Sequence, residues 1–242
     1  LVGSEMCIRD SQKTVANAAM QNVHFRRAVM FSIDRATMVA QRKGEDLKYN
    51  CMINAYVPGN FVYLSKEVTV DINGESVTFP AGTAYGTIRQ RQLEADGSTM
   101  KTFDEETGLG TGFDGWYNPE AANAELATAI EELAAQGYEI SAENPVYLDI
   151  ASFTGNDSFK NQDQALKQSV ESVLGGVVIV NIVPCDTQKD WLNATYYPNT
   201  GAEMNFNIGN NGGWGPDYGD PKSYLDTLLP GGNGMTKSFG LF

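Results

Sequence analysis

The residues best suited to chemistry lie near the C-terminal end, in "NNGGWGPDYGDPKSYLDTLLPGG", Asn210 to Gly232. Trp214, Tyr218 and Tyr224 stand there among glycines, prolines and the acids Asp217, Asp220 and Asp226. A carboxylate in such a setting can accept a charge-assisted hydrogen bond, which contributes about 1.5–3 kcal/mol. Glycines such as Gly212, Gly213 and Gly215 leave the main chain open to close approach by another chain. The aromatic rings offer rigid apolar walls. The run is too broken for a helix and too aromatic for an ordinary solvent loop. On pattern alone it is either a ligand wall or a buttress whose Trp fills a gap in the core. Asp220 before Pro221 reads as the cap of a helix "PKSYLDTLL", and Asp226 as a solvated residue on it.

Other chemistries find little to work with. The single histidine, His24, precedes "FRRAV" at the start of an amphipathic helix and reads as a helix-end residue. Cys7, Cys51 and Cys185 show no CxxC spacing, so a zinc site is not indicated, and spacing leaves a Cys51–Cys185 pairing open. "DEETGLGTGFDGWYN", Asp104 to Asn118, mixes acids and glycines, but Gly108 and the misplaced final acid spoil an EF-hand. It reads as a flexible surface loop. A formal net charge of −13 argues against a nucleic-acid partner. The sequence contains no apolar run of about 18 residues, the length that spans a bilayer.

The elements that must position the Trp-rich run are legible from periodicity. Val23 to Arg42 predicts helix, with Phe25, Val29 and Ile33 on one face and Asp34 capping a second short helix. Asn54 to Tyr63, "NAYVPGNFVY", reads as loop. Glu67 to Phe79 alternates around Asn73-Gly74, the pattern of a β-hairpin. Asn118-Pro119-Glu120 opens a helix to Gln136, ended by Gly137. Strand "PVYLDIASF", a helix from Asp163 to Leu174 and strand Val177 to Val183 compose a βαβ unit with parallel strands. The second strand is apolar enough to be covered on both faces. A helix at Lys189 to Tyr196 and a strand at Met204 to Ile208 extend the sheet. The Trp-rich run follows that last strand, where ligands of parallel sheets gather beyond the carboxyl ends.

Four blocks, in order, carry a resemblance to the extracytoplasmic solute-binding proteins of family five, which serve oligopeptide and dipeptide ABC importers. They are "FRRAVMFSIDRATMV", "YNPEAANAELATA", the strand–helix–strand from Val146 to Val183, and "FNIGNNGGWGPDYGDPKSYLDTLL". The last block is the specific one. The resemblance implies a periplasmic-binding-protein-like type II (class C) lobe, α/β, with a mixed sheet of βαβ units plus the hairpin. It implies that Asp217 meets the α-amino group of a peptide, that the backbone around Trp214 pairs with the peptide main chain, and that Asn211, Gly213, Gly215 and Tyr218 complete the wall. Asn210 and Asn211 stand where family members often carry a basic residue or small polar ones, so no arginine stands there to hold peptide carbonyls or a carboxylate.

By the same resemblance the partners are an oligopeptide and the membrane permease subunits, the protein is a monomer, no cofactor is involved and the location is extracytoplasmic, in the periplasm or on the cell surface as a lipoprotein. Residues 1–11 resemble a translated sequencing adaptor seen in metagenomic assemblies, 12–24 would enter from a first lobe, and 25–242 would be the second, C-terminal lobe, truncated. Two other readings stay open at this point. The same fold could hold an oligosaccharide, a nickel complex or haem. A glycosidase would need Asp217 and Asp220 placed about 5–9.5 Å apart across a cleft.

Overall fold

Asn22 and Asp34 divide the N-terminal helical region. Each carries a short side chain that accepts a hydrogen bond from a first-turn amide, Asn22 from Phe25 and Asp34 from Thr37, and so starts a new helix. In the computed structural model, which describes residues 10–200, 203–204, 206–209 and 218–226, these helices are Asp10–Gln21 (α1), Val23–Ser32 (α2) and Arg35–Lys43 (α3). The Asp34 cap is the predicted one. Helix α1 was not predicted, because it turns alanines inward in place of a branched apolar stripe. Ala16 and Ala19 are nonetheless fully buried.

A single 3-10 turn at Glu45–Leu47 leads into the predicted loop. The hairpin follows, Val68–Ile72 (β1) and Glu75–Phe79 (β2), antiparallel with Val70 opposite Val77. Asn73 and Gly74 take φ of 53° and 85°, the double left-handed turn that Asn-Gly tolerates. Helix α4, Tyr85–Ala95, was unpredicted. It lacks a side-chain cap, and among its residues only Gly86 is buried.

The second half matches its sequence pattern more closely. Asn118 accepts from Ala121 N and starts Pro119–Ala135 (α5), which Gly137 follows at φ 88°. Val146–Phe153 (β3), Asp157–Val173 (α6) and Val178–Cys185 (β4) form the βαβ unit, with Val146 facing Val178 in parallel register. Helix α6 starts at Asp157, not Asp163. Asn156 caps it, and a polar first turn and a half had hidden the start. Gln188–Thr195 (α7) and Pro221–Asp226 (α8) complete the described helices. Of the expected strand at Met204 to Ile208, the described residues show a single parallel bridge, Ile208 to Ile150. The hairpin forms a sheet of its own, separate from the parallel pair.

Leu148, Ile150, Val178 and Val180 face a core built with Phe25 of α2, Leu133 of α5 and Val170 of α6. Among the described residues, strand β4 is not covered along the whole of both faces as its apolar sequence suggested. Ile179, Asn181 and Val183 on the second face are only half-buried, because among the described residues α7 covers that face near the strand ends alone, where Ala151, Cys185, Trp191 and Ala194 cluster. Cys51 is exposed and Cys185 buried, and both are free thiols. Leu148 is completely buried, so Leu148→Ala should destabilise the fold by about 2–5 kcal/mol. Denaturant unfolding checks this. A loss below about 1 kcal/mol would place Leu148 outside the core.

Candidate ligand-binding site

Of the residues singled out in the Trp-rich run, Asn211, Gly213, Trp214, Gly215 and Asp217 lie outside the described residues. Tyr218 is described and 76% exposed. The next element behaves as its sequence predicts. Asp220 Oδ1 accepts from Lys222 N at 2.7 Å and Asp220 O from Ser223 N at 3.0 Å, so Asp220 starts α8. Asp226 is part of α8, and its side chain lies outside the described residues. The run is thus approached from both ends by structure that can be read in detail.

On the upstream side the anchor is one residue of β3. Asp149 O accepts from Asn207 N at 2.9 Å and from Ile208 N at 3.1 Å. Asp149 N donates back to Asn207 Oδ1 at 2.9 Å. The Asp149 carboxylate accepts from Asn181 Nδ2 at 3.1 Å, across the parallel pair from its register partner. Asp149 is only 8% exposed. Burial pushes its carboxyl above the ordinary range, and the Asn181 hydrogen bond offsets part of that rise. Sequence reasoning passed over Asp149, Asn181 and Asn207. The available signal was a polar residue in the middle of each apolar strand, at positions that face each other once the register is known.

On the downstream side Tyr224 of α8 meets Phe61 edge-on, ring centroids 5.8 Å apart. Phe61 belongs to the loop after α3, and that loop is tied down by Arg35. The guanidinium donates to Asp114 Oδ1 through Nε at 3.1 Å and Nη2 at 2.7 Å, to Ile53 O through Nη1 at 3.1 Å, and to Asn54 Oδ1 at 2.5 Å. It also lies 4.3 Å from the centroid of Trp116. Asp114 Oδ1 further accepts from the amides of Trp116 and Tyr117. Buried Asn54 donates to Gly110 O and Phe113 O. The segment from Asp104 to Asn118, expected as a flexible surface loop, is therefore stitched to α3 around Asp114. Among the described residues no group of three or more His, Cys, Asp or Glu could hold a metal. His24 is a helix-end residue as predicted. Its Nδ1 lies 2.5 Å from Glu125 Oε2 and links α2 to α5.

Two outcomes follow from these networks. Asp114→Ala strands a largely buried guanidinium and should lower unfolding free energy by about 3 kcal/mol, whereas a change under about 0.5 kcal/mol would make the pair a surface one. For Asp149 the native state keeps its proton above pH 3.8, where the unfolded chain has already released it. Its contribution to stability therefore falls as pH rises through that window. In Asp149→Asn this fall disappears, so the variant should gain in thermal midpoint relative to the parent between about pH 3 and about pH 7. A constant difference across that range would show that Asp149 titrates normally.

The chain has relatives among known proteins. Residues 10–236 match the model of bacterial extracellular solute-binding proteins, family 5 Middle. It is 34% identical over 233 residues to the oligopeptide-binding protein SarA of Streptococcus gordonii, covering 95% of this chain and 31% of that protein. It is 30% identical over 230 residues to the oligopeptide-binding protein AmiA of Streptococcus pneumoniae, with the same coverage of 95% and 31%. The chain thus spans about a third of the length of these relatives. Among solved structures, Listeria monocytogenes OppA bound to peptide superposes with a TM-score of 0.50 at 17% identity, over 93% of this chain and 32% of that one. That likeness shows the fold, a lobe of the type II periplasmic-binding-protein class. The chain belongs to the bacterial extracellular solute-binding proteins of family 5.

Proposed function

We propose that the complete protein captures oligopeptides outside the cytoplasm and delivers them to the permease of an ABC importer, with this chain supplying most of one ligand-binding lobe. The observation that carries the reading is the family match from residue 10 to residue 236, which runs through the whole Trp-rich run. The relatives' description as oligopeptide-binding proteins supports it. A carrier that accepts many sequences has to recognise what peptides share: an amino terminus and regularly spaced N–H and C=O groups. Asp217 receives the amino terminus as a charge-assisted partner. The glycine-flanked backbone around Trp214, with Asn211, Gly213 and Gly215, pairs with the main chain of the extended ligand. Trp214 and Tyr218 exclude water from that pairing.

No step of this function makes or breaks a covalent bond. The protein acts as a monomeric carrier that closes two lobes on its ligand.

Calorimetry on the complete protein tests the reading. Asp217→Asn should weaken binding of a short peptide with a free amino terminus by about ten- to a hundredfold, matching the loss of one charge-assisted hydrogen bond. N-acetylation of the peptide should cost the unaltered protein a similar factor. Equal affinity for free and acetylated peptides would overturn the assignment of Asp217.

A further inference from the structure

Strand β4 lies at the rim of the parallel pair, with β3 on one side and, among the described residues, no strand on the other. Val146 N donates to Val177 O, and Thr154 N to Cys185 O. In the parallel register these bonds turn the main-chain groups of odd-numbered β4 residues toward β3. Val178, Val180 and Ile182 therefore direct theirs to the outer edge. From Val177 to Val183 the sequence reads "VVIVNIV", β-branched apart from one asparagine and without a charge. An open edge of that composition is a template for another copy of itself.

Two features occupy that edge. Glu171 Oε1 accepts from Val180 N at 2.9 Å, and Lys167 Nζ donates to Val180 O at 2.7 Å. The two side chains also meet each other, Nζ to Oε1 at 2.5 Å. They stand one turn apart on α6, half-buried, and give the middle of β4 the acceptor and donor that a neighbouring strand would bring. Within a helix, Lys placed four residues before Glu is the less favourable order for such a pair. Its placement suits the strand better than the helix. The second feature is Pro184, an exposed, even-numbered residue of the same strand. Proline has no N–H to give, and a strand tolerates it where the missing donor faces an edge.

Two antiparallel copies of β4 exchange hydrogen bonds best around Val180. In that register Val180 faces its own twin and Val178 faces Ile182 of the second copy, so every outward N–H and C=O of these residues is paired. Sliding the register toward the C-terminal end of the strand brings in Pro184 and loses a donor. We infer that the outer edge of β4 is a self-pairing surface whose fitting partner is a second copy of this chain, and that Lys167 and Glu171 hold it shut by occupying Val180. Pro184 spoils the alternative register. Nothing in this guard depends on which ligand the complete protein carries.

Exchanging the two charges separates guarding from simple support. In Lys167→Glu, Glu171→Lys the helix keeps an ion pair at the same spacing, but a carboxylate now faces Val180 O and an ammonium faces Val180 N. The complete protein carrying this swap should fold with its far-ultraviolet spectrum unchanged. When dilute, its Val180 amide should exchange with solvent deuterium about ten- to a hundredfold faster, while Ile179 and Asn181 keep their protection. Sedimentation velocity should show monomer giving way to dimer as concentration rises about a hundredfold, with the unaltered protein monomeric throughout. Glu171→Gln keeps an acceptor for Val180 N and should stay monomeric. A swapped protein that remains monomeric overturns the inference, as does equal self-association of the unaltered protein. Faster exchange at Ile179 and Asn181 as well would make the pair a prop of the fold and overturn it too. Should the swapped protein not fold, Lys167→Ala with Glu171→Ala, which frees Val180 without a mismatched charge, is judged by the same outcomes.

Discussion

The Arg35 guanidinium holds together parts of the chain that no sheet or helix joins. From the first turn of α3 its hydrogen bonds reach the loop at Ile53 and Asn54 and the segment at Asp114. Only arginine has the flat fork of donors to satisfy a carboxylate, a main-chain carbonyl and an amide oxygen at once while stacking on Trp116. Taking such a charge out of water is costly unless its donors find acceptors, and here the acceptors come from two separate stretches of sequence. The geometry of the loop that carries Phe61 and Tyr63 is inherited from that arrangement.

The βαβ unit plays a different part. Leu148, Ile150, Val178 and Val180 supply burial on one face, and burial is non-directional, so it fixes the layers without fixing the loops beyond them. Direction comes from Asp149. By presenting its main-chain N–H and C=O to Asn207 and Ile208, it sets where the chain leaves the sheet before the Trp-rich run. The carboxylate it holds at this place is disfavoured by burial and only partly relieved by Asn181. The sheet tolerates a polar pair where an apolar one would pack better, and that pair lies on the face turned away from the main core.

These two anchors suit the carrier role proposed above. A site of the proposed kind, recognising main-chain groups and an amino terminus, would need a stiff frame, since ordering the frame on binding would subtract from affinity. Asn207 on one side and Phe61 with Tyr224 on the other are held by hydrogen bonds and ring contacts that belong to the frame itself.

Much of the frame was legible in the sequence because it is governed by local rules. The Asn73-Gly74 turn, the Asn118-Pro119 helix start, the Asp34 and Asp220 caps and the parallel pairing across α6 each depend on residues within a few positions or one crossover. The misses share a different cause. Helices α1 and α4 have no branched apolar stripe, α6 begins with a polar turn behind Asn156, and β4 looked doubly buried because composition cannot tell which of its faces finds a cover. The order of motifs pointed to the family that the match over residues 10–236 shows. Only the tertiary structure decided that Asp149 grips Asn207 and that Arg35 gathers Asn54 and Asp114. Those partners lie 58, 19 and 79 positions apart, and contacts over such separations are set by packing of the whole chain, which no local pattern encodes.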